Sequence, residues 1–292
     1  MMQFSEDRLT EIRTALLGPD GSALIHLMHL KGFGQDTSEA AAPVLQLATD
    51  LRWIDPDTGA LTPLGTCAAD SCREYQFWTE RDRKTPFEGY APHLSSTYFK
   101  GRKVLEIGPG MGANLMSIAA AGGEVLGVEP VTAYIQMGAI LSEREGLPAP
   151  DVRQGAAEEI PFEKASADLI LCASAHQYFE ILPAFHEIAR TLSKGGELLI
   201  VGGTFKPYFW GGLKAVLKER SGAAAYVITV LNSLSYMAIK KRVIPARTGF
   251  STSRPVYPSQ AGLMRLLSQT GFEQVSAPVM VGPETCFHVR LR

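Results

Sequence analysis

The sequence predicts an α/β fold built on a doubly wound, mostly parallel sheet and preceded by a helical N-terminal region. Three observations predict it. Four short apolar runs read as buried strands, helix-forming segments alternate with them, and the glycine-punctuated stretch VLEIGPGMGANL (104–115) marks the first strand-to-helix junction. Strands alternating with helices form a parallel sheet carrying helices on its faces. The 292 residues suit one large or two small domains, and 46% hydrophobic residues with a net charge of −2 describe an ordinary soluble composition.

The N-terminus MMQFSEDRLTEIR has no apolar core behind a basic start, so a cytoplasmic chain without a signal peptide is expected. Cys67, Cys72, Cys172 and Cys286 form neither a C-x-x-C pair nor a disulfide framework, and no metal site is expected. His26 and His29 read as ordinary residues of an N-terminal helix. Thr37–Leu51 reads as a helix, with Pro43 tolerable only near its start or at a break. WIDPDTGALTP (53–63) reads as a hairpin turning at Asp57-Thr58-Gly59. Helix, hairpin and the following LTPLG resemble the winged-helix module that precedes many small-molecule O-methyltransferases. A winged helix can read DNA, but residues 1–95 hold 8 Lys/Arg against 14 Asp/Glu, and Thr37–Leu51 has no basic residue. Nucleic-acid binding needs cations to neutralise phosphates, so it is excluded in favour of dimerisation or substrate shaping.

Lys103–Ile107 is a short apolar strand, and Ala113–Ala121 is a helix stopped by Gly122-Gly123. Between them Gly108, Gly110 and Gly112 permit a sharp turn and close backbone approach to a ligand, with the helix-start amides facing it. The spacing is G-x-G-x-G, whereas a dinucleotide fingerprint needs G-x-G-x-x-G. Glu106, two residues before the first glycine, would repel a pyrophosphate and suits a ligand bearing an ammonium group, such as the methionine end of S-adenosylmethionine. Glu124–Val128 is the second strand and ends in Glu129-Pro130, where an acid can grip a ribose diol. GAAEEIPF (155–162) then precedes the strand Ala167–Ala173.

These four segments, in this order and spacing, resemble the class I S-adenosylmethionine-dependent methyltransferases, close to the ubiquinone/menaquinone-biosynthesis-like group. The resemblance runs from about residue 98 to 203 and resumes at the C-terminus. It implies a Rossmann-like, seven-stranded sheet closed by a C-terminal hairpin, and S-adenosylmethionine as cofactor. The family's glycine loop falls on Glu106, Gly108, Pro109, Gly110 and Gly112, and its ribose acid on Glu129, followed by Pro130. The family's G-D-A-x-x-L-P-F stretch is similar to 155–162, but Ala156 stands where an Asp usually bonds the adenine amino group. The adenine contact then falls to the Ala157 amide and Glu158, with Ala173 at the adjoining strand end.

Pro183–Leu192 reads as a helix leaving through Ser193-Lys194-Gly195-Gly196, followed by the strand Glu197–Val201. Gln260–Thr270 reads as the closing helix, and Glu273–Val281 with Cys286–Arg292 as the last two strands. Ligands of such sheets sit at the carboxyl ends of the strands, so Gly108, Glu129, Ala157 and residues 173–178 are expected to converge. The expected division is an N-terminal domain over 1–95 and a cofactor domain over 96–292 with a lid insertion at 205–257. That insertion holds nine Lys/Arg and one acid. Ala223–Ile239 is apolar but too short, and too interrupted by Asn232, Ser233 and Ser235, for a membrane span. It reads as a lid or interface helix, with peripheral membrane contact open. The charges read either as a solvated face or as a cap selecting an anionic, carboxylate-bearing substrate through Arg242 and Arg247.

His176, just past the third strand, is the candidate base, or else a packing histidine; Tyr178 is the candidate for orienting the acceptor. Among Tyr75, Phe77, Trp78, Tyr90 and Tyr98, Tyr98 is the candidate for facing the sulfonium and Trp78 for lining the substrate. The expected function is methylation of a small anionic metabolite, at oxygen by default or at sulfur or nitrogen, by a homodimer. The competing class is a non-enzymatic cofactor-binding or docking protein, which fold alone does not exclude.

Overall fold

The computed structural model describes residues 2–219, 222–244 and 255–292. Seven strands run in the order β3-β2-β1-β4-β5-β7-β6 (β1 Lys103–Ile107, β2 Glu124–Glu129, β3 Asp151–Gln154, β4 Ala167–Ala173, β5 Leu192–Gly203, β6 Phe272–Val281, β7 Glu284–Leu291). This is the expected α/β sheet. The chain divides into two compact units, residues 1–85 with 109–154 and residues 86–108 with 155–292.

The first unit contains α1 (Glu6–Leu17), α2 (Gly21–Gly32), α3 (Ala42–Asp50), α4 (Pro63–Glu80), α6 (Ala113–Ala120) and α7 (Thr132–Arg144), with β2 and β3 paired in parallel. Helix α3 is shorter than the expected Thr37–Leu51 because Pro43 occupies its first turn. Residues 53–63 form one isolated bridge, Ile54 to Leu61, rather than paired strands. Asp55 holds that turn by accepting from the Asp57 and Thr58 amides at 3.1 and 2.9 Å. The N-terminal helices are tied to the later part of the unit by specific bonds. Tyr134 donates to Asp70 at 2.9 Å, and the backbone of Phe4 exchanges two bonds with the Gln136 amide. Arg144 donates to the Leu16 carbonyl.

In the second unit β1, β4 and β5 run parallel, with Leu105 opposite Ile170 and Leu171 opposite Leu199, and β7 and β6 close the sheet antiparallel. Val104, Leu105, Leu169–Cys172 and Leu198–Ile200 are fully buried, the near-continuous apolar pattern of strands covered on both faces. The short helix α5 (Ser96–Phe99) precedes β1, and helix α8 (Ile181–Thr191) lays Ile181, Phe185 and Ile188 into that core. The exit turn expected at 193–196 is absorbed into β5, where Gly195 takes a left-handed conformation and the register with β4 shifts. The lid insertion starts as two helices, α9 (Phe205–Glu219) and α10 (Ala223–Ile239), and α11 (Gln260–Gln269) precedes β6. All four cysteines are free and buried, and burial pushes their thiols up to about 12, so they pack as apolar groups.

Candidate cofactor and acceptor sites

In the first unit, Gly110 and Gly112 carry φ of +58° and +86° between the end of Pro109 and the start of α6. Each would be strained with any side chain. Glu129 ends β2 and is buried beneath this loop. Its Oε2 accepts from the Gly110 amide at 3.1 Å and its Oε1 from the Val131 amide at 3.0 Å. Burial outweighs these bonds and pushes its carboxyl up to about 7. Pro130 is exposed just beyond it, and Pro109 packs where a Cβ on Gly127 would meet it.

Sequence reasoning missed Glu74 of α4. Its Oε2 accepts from the Met111 amide at 3.3 Å and lies 2.8 Å from where a Cβ on Gly110 would stand. The loop thus presents its amides to two carboxylates from different parts of the chain. Only a pattern linking α4 to residue 110 could have signalled Glu74, and single-sequence periodicity carries none. Trp78, expected against substrate, is 1% exposed and donates from Nε1 to Ser117 Oγ at 2.6 Å, so it is core and not a substrate contact.

The second unit brings together the carboxyl ends of β1, β4 and β5. Glu106 is buried in β1, and Gly108, at φ +66°, passes so close to Ala175 that a Cβ there would lie 2.9 Å from the Ala175 side chain. Ala173 ends β4, and Ser174 follows in a left-handed conformation unusual for a residue with a side chain. Ala156 bridges to Glu159, leaving Ala157 buried between them. Glu158, expected near adenine, instead turns its Oε1 onto the Glu180 amide at 2.6 Å.

His176 is fully buried. Its Nε2 lies 3.1 Å from the Gly203 carbonyl, which can only accept, so Nε2 carries the proton and donates. Nδ1 is buried without a hydrogen-bond partner among the described residues, and burial pulls the imidazole down to about 4. A neutral ring bonded to the backbone and sealed from solvent positions the end of β5. This geometry opposes the expected base role. Tyr178, two residues on, is exposed.

Tyr98 lies at the other end of the strands. Its hydroxyl bonds Glu197, at the start of the β4-paired stretch of β5, and the Arg102 guanidinium stacks 4.1 Å from its ring centroid. With His288 and Arg290 also on Glu197, this is a structural ion cluster that holds the Glu197 carboxyl down to about 2. The aromatic rings that do stand at the carboxyl end of β5 are Tyr257, against Gly203, and Tyr208, stacked on Tyr257 at 4.2 Å. Sequence distance hid them.

Arg242 is engaged within the chain. Its guanidinium pairs with Glu180 at 2.8 Å and donates to the Phe179 and Tyr178 carbonyls at 2.9 and 3.3 Å. Its fork clamps the loop after β4. Arg247 lies outside the described residues.

Residues 105–200 match the family described as a methyltransferase domain. The uncharacterized methyltransferase YcgJ of Bacillus subtilis is 30% identical over 34% of this chain and 40% of its own. A methyltransferase-like protein of Schizosaccharomyces pombe, C25B8.10, is 36% identical over 35% of this chain and 38% of its own. Over residues 105–200 the chain carries a methyltransferase domain. It spans about 40% of the length of these curated relatives. Two solved structures show the same fold. The PH0226 protein of Pyrococcus horikoshii has a TM-score of 0.51 at 16% identity, over 75% of this chain and 92% of that one. The magnesium protoporphyrin IX methyltransferase of Synechocystis, solved with bound S-adenosylhomocysteine, has 0.50 at 13%, over 76% and 87%. The residues present suit S-adenosylmethionine. Gly110 and Gly112, both left-handed, leave no Cβ on the loop, and the buried Glu129 carboxylate sits under it.

Proposed function

We propose that this chain is an enzyme that transfers a methyl group from S-adenosylmethionine to a small, anionic metabolite. One observation carries the reading: the left-handed glycine loop leading into α6, with the Glu129 carboxylate held at the Gly110 amide. When bound, the cofactor supplies an electrophilic methyl on a sulfonium. The chain's own residues bind and position. In the first unit the loop backbone of Pro109, Gly110 and Gly112 takes the methionine end and Glu129 takes the ribose hydroxyls; for the second unit, a contact of adenine with the Ala157 amide is the expectation from the sequence. Tyr178 orients the acceptor, and His176 fixes the end of β5 behind it.

The state of His176 bears on the acceptor. A ring that is neutral, buried and bonded to the Gly203 carbonyl supports an acceptor that needs no protein base. A carboxylate oxygen or a thioether sulfur each offers a lone pair without losing a proton, and positioning then supplies most of the catalysis. The basic lid, with nine Lys/Arg against one acid over 205–257, supports an anionic substrate. The acidic N-terminal helices are proposed to dimerise or shape the substrate site.

Transfer of label from methyl-labelled S-adenosylmethionine into a pool of carboxylate-bearing metabolites tests the activity, and calorimetry tests the cofactor. The expected results are a labelled small acid and binding of S-adenosylhomocysteine but not NAD. Cofactor binding without any labelled acceptor would favour the non-enzymatic alternative.

A further inference from the structure

Helix α10 is turned inside out. Its buried residues are Thr229, Asn232, Ser233 and Tyr236, while Val227, Leu231 and Leu234 are between 46% and 51% exposed and Ile239 is 66% exposed. The polar face is anchored to its own unit by named bonds. Asn232 exchanges hydrogen bonds with both backbone groups of Ile244, at 2.9 and 3.0 Å. Ser233 Oγ accepts from the Tyr257 amide at 3.0 Å, and the Tyr236 hydroxyl accepts from the Leu182 amide at 3.2 Å. Residues 227, 231 and 234 follow i, i+4, i+7 spacing, so one apolar stripe faces outward along the helix. A solvated helix has the opposite arrangement.

The neighbouring helix continues the pattern. Tyr226 donates to the Phe209 carbonyl at 3.0 Å and packs against Gly212, which sets α9 beside α10. Helix α9 exposes Trp210 and Leu217 together with Lys206, Lys214 and Lys218, and Lys241 lies exposed just past the end of α10. Exposed aliphatic and indole groups interleaved with lysines, on helices too short to cross a bilayer, fit an interface of apolar depth under negative charge.

We propose that the outer face of α9 and α10 docks on the surface of an anionic lipid bilayer, with Leu231, Leu234 and Trp210 entering the acyl boundary and the lysines meeting headgroup phosphates. The charge decides the occupant. A second copy would bring the same lysines against each other, whereas an anionic lipid surface complements them. The proposal stands apart from methyl transfer, since docking requires neither substrate nor turnover.

Sedimentation of the full chain with phosphatidylserine–phosphatidylcholine vesicles, against pure phosphatidylcholine vesicles, tests it. Binding is expected only to the anionic vesicles, and to weaken as salt rises. Leu231→Asp and Leu234→Asp should each lower vesicle affinity by about tenfold or more, the fold-change matching burial of a leucine side chain. Lys214→Gln and Lys218→Gln should each lower it about fivefold. Trp53 and Trp78 are buried, so a vesicle-induced blue shift of tryptophan emission reports Trp210, and Trp210→Phe should abolish it. Equal binding of wild type and both Asp variants would overturn the proposal, as would absence of binding to anionic vesicles. So would a solution dimer that Leu231→Asp dissociates, because the stripe would then belong to a second copy.

Discussion

Glu129→Gln separates the two demands placed on the acid at the end of β2. The carboxylate is 5% exposed, and its two backbone donors do not offset the loss of water, so its proton is held up to about 7 instead of 4.5. That displacement corresponds to about 3 kcal/mol against the ionised form in the folded chain. The native fold binds this proton more tightly than the unfolded chain does. Its contribution is therefore fully present below about pH 4.5 and lost as pH rises through about 7. Glutamine cannot ionise, so it escapes this change. It also turns an amide donor toward either the Gly110 or the Val131 amide, at a pH-independent cost of about 1–3 kcal/mol. The wild-type advantage in stability should then shrink by about 3 kcal/mol between pH 4.5 and pH 8. Denaturant unfolding across that range measures it. Affinity for S-adenosylhomocysteine should move the other way. It should rise with pH in wild type as the carboxylate forms, and stay flat and weaker by about 1.5–3 kcal/mol in Glu129→Gln, the worth of hydrogen bonds to a charged group. A stability difference independent of pH would refute the buried-charge argument, and equal affinities would remove Glu129 from the ribose.

Three further outcomes follow from the same geometry. Gly110→Ala forces a side chain onto a left-handed backbone and against Glu74, so it should cost about 1–2 kcal/mol of stability and weaken S-adenosylhomocysteine in calorimetry; an unchanged Kd would show that the loop does not approach the cofactor. Because burial pulls the His176 imidazole down to about 4, the pH profile of kcat at saturating cofactor, where the Glu129 titration no longer affects binding, should show no inflection near pH 6.5, and His176→Gln should lower kcat without changing that profile's shape; an inflection lost in that variant would restore the base role. Trp78→Ala, which empties a buried site, should destabilise the fold by about 3–5 kcal/mol in denaturant unfolding, with a smaller loss for Trp78→Phe; unchanged stability with a raised substrate KM would return Trp78 to the substrate.

Features that depend on local backbone chemistry are legible in the sequence alone. Gly108, Gly110 and Gly112 can announce a loop because left-handed φ is a property of each residue, and all three adopt it. The runs at 103–107, 124–129 and 167–173 can announce strands because burial of their central residues writes short, mostly apolar stretches. Pro43 and Pro183 mark first turns because proline lacks an amide that only the helix interior needs. Glu129 is legible as the acid that closes β2, and the structure places its carboxylate at the Gly110 amide. Tertiary structure decided where each long side chain spends its polar group. Trp78 found Ser117, Tyr98 found Glu197, Glu158 found the Glu180 amide, and Arg242 found Glu180 together with two carbonyls. Each partner comes from another segment of the chain, and no local pattern encodes the pairing. Helix α10 makes the same point at the scale of an element. Its apolar and polar stripes were both written in the sequence, but which stripe turned outward was set by the backbone groups of Ile244, Tyr257 and Leu182 that its Asn232, Ser233 and Tyr236 satisfy.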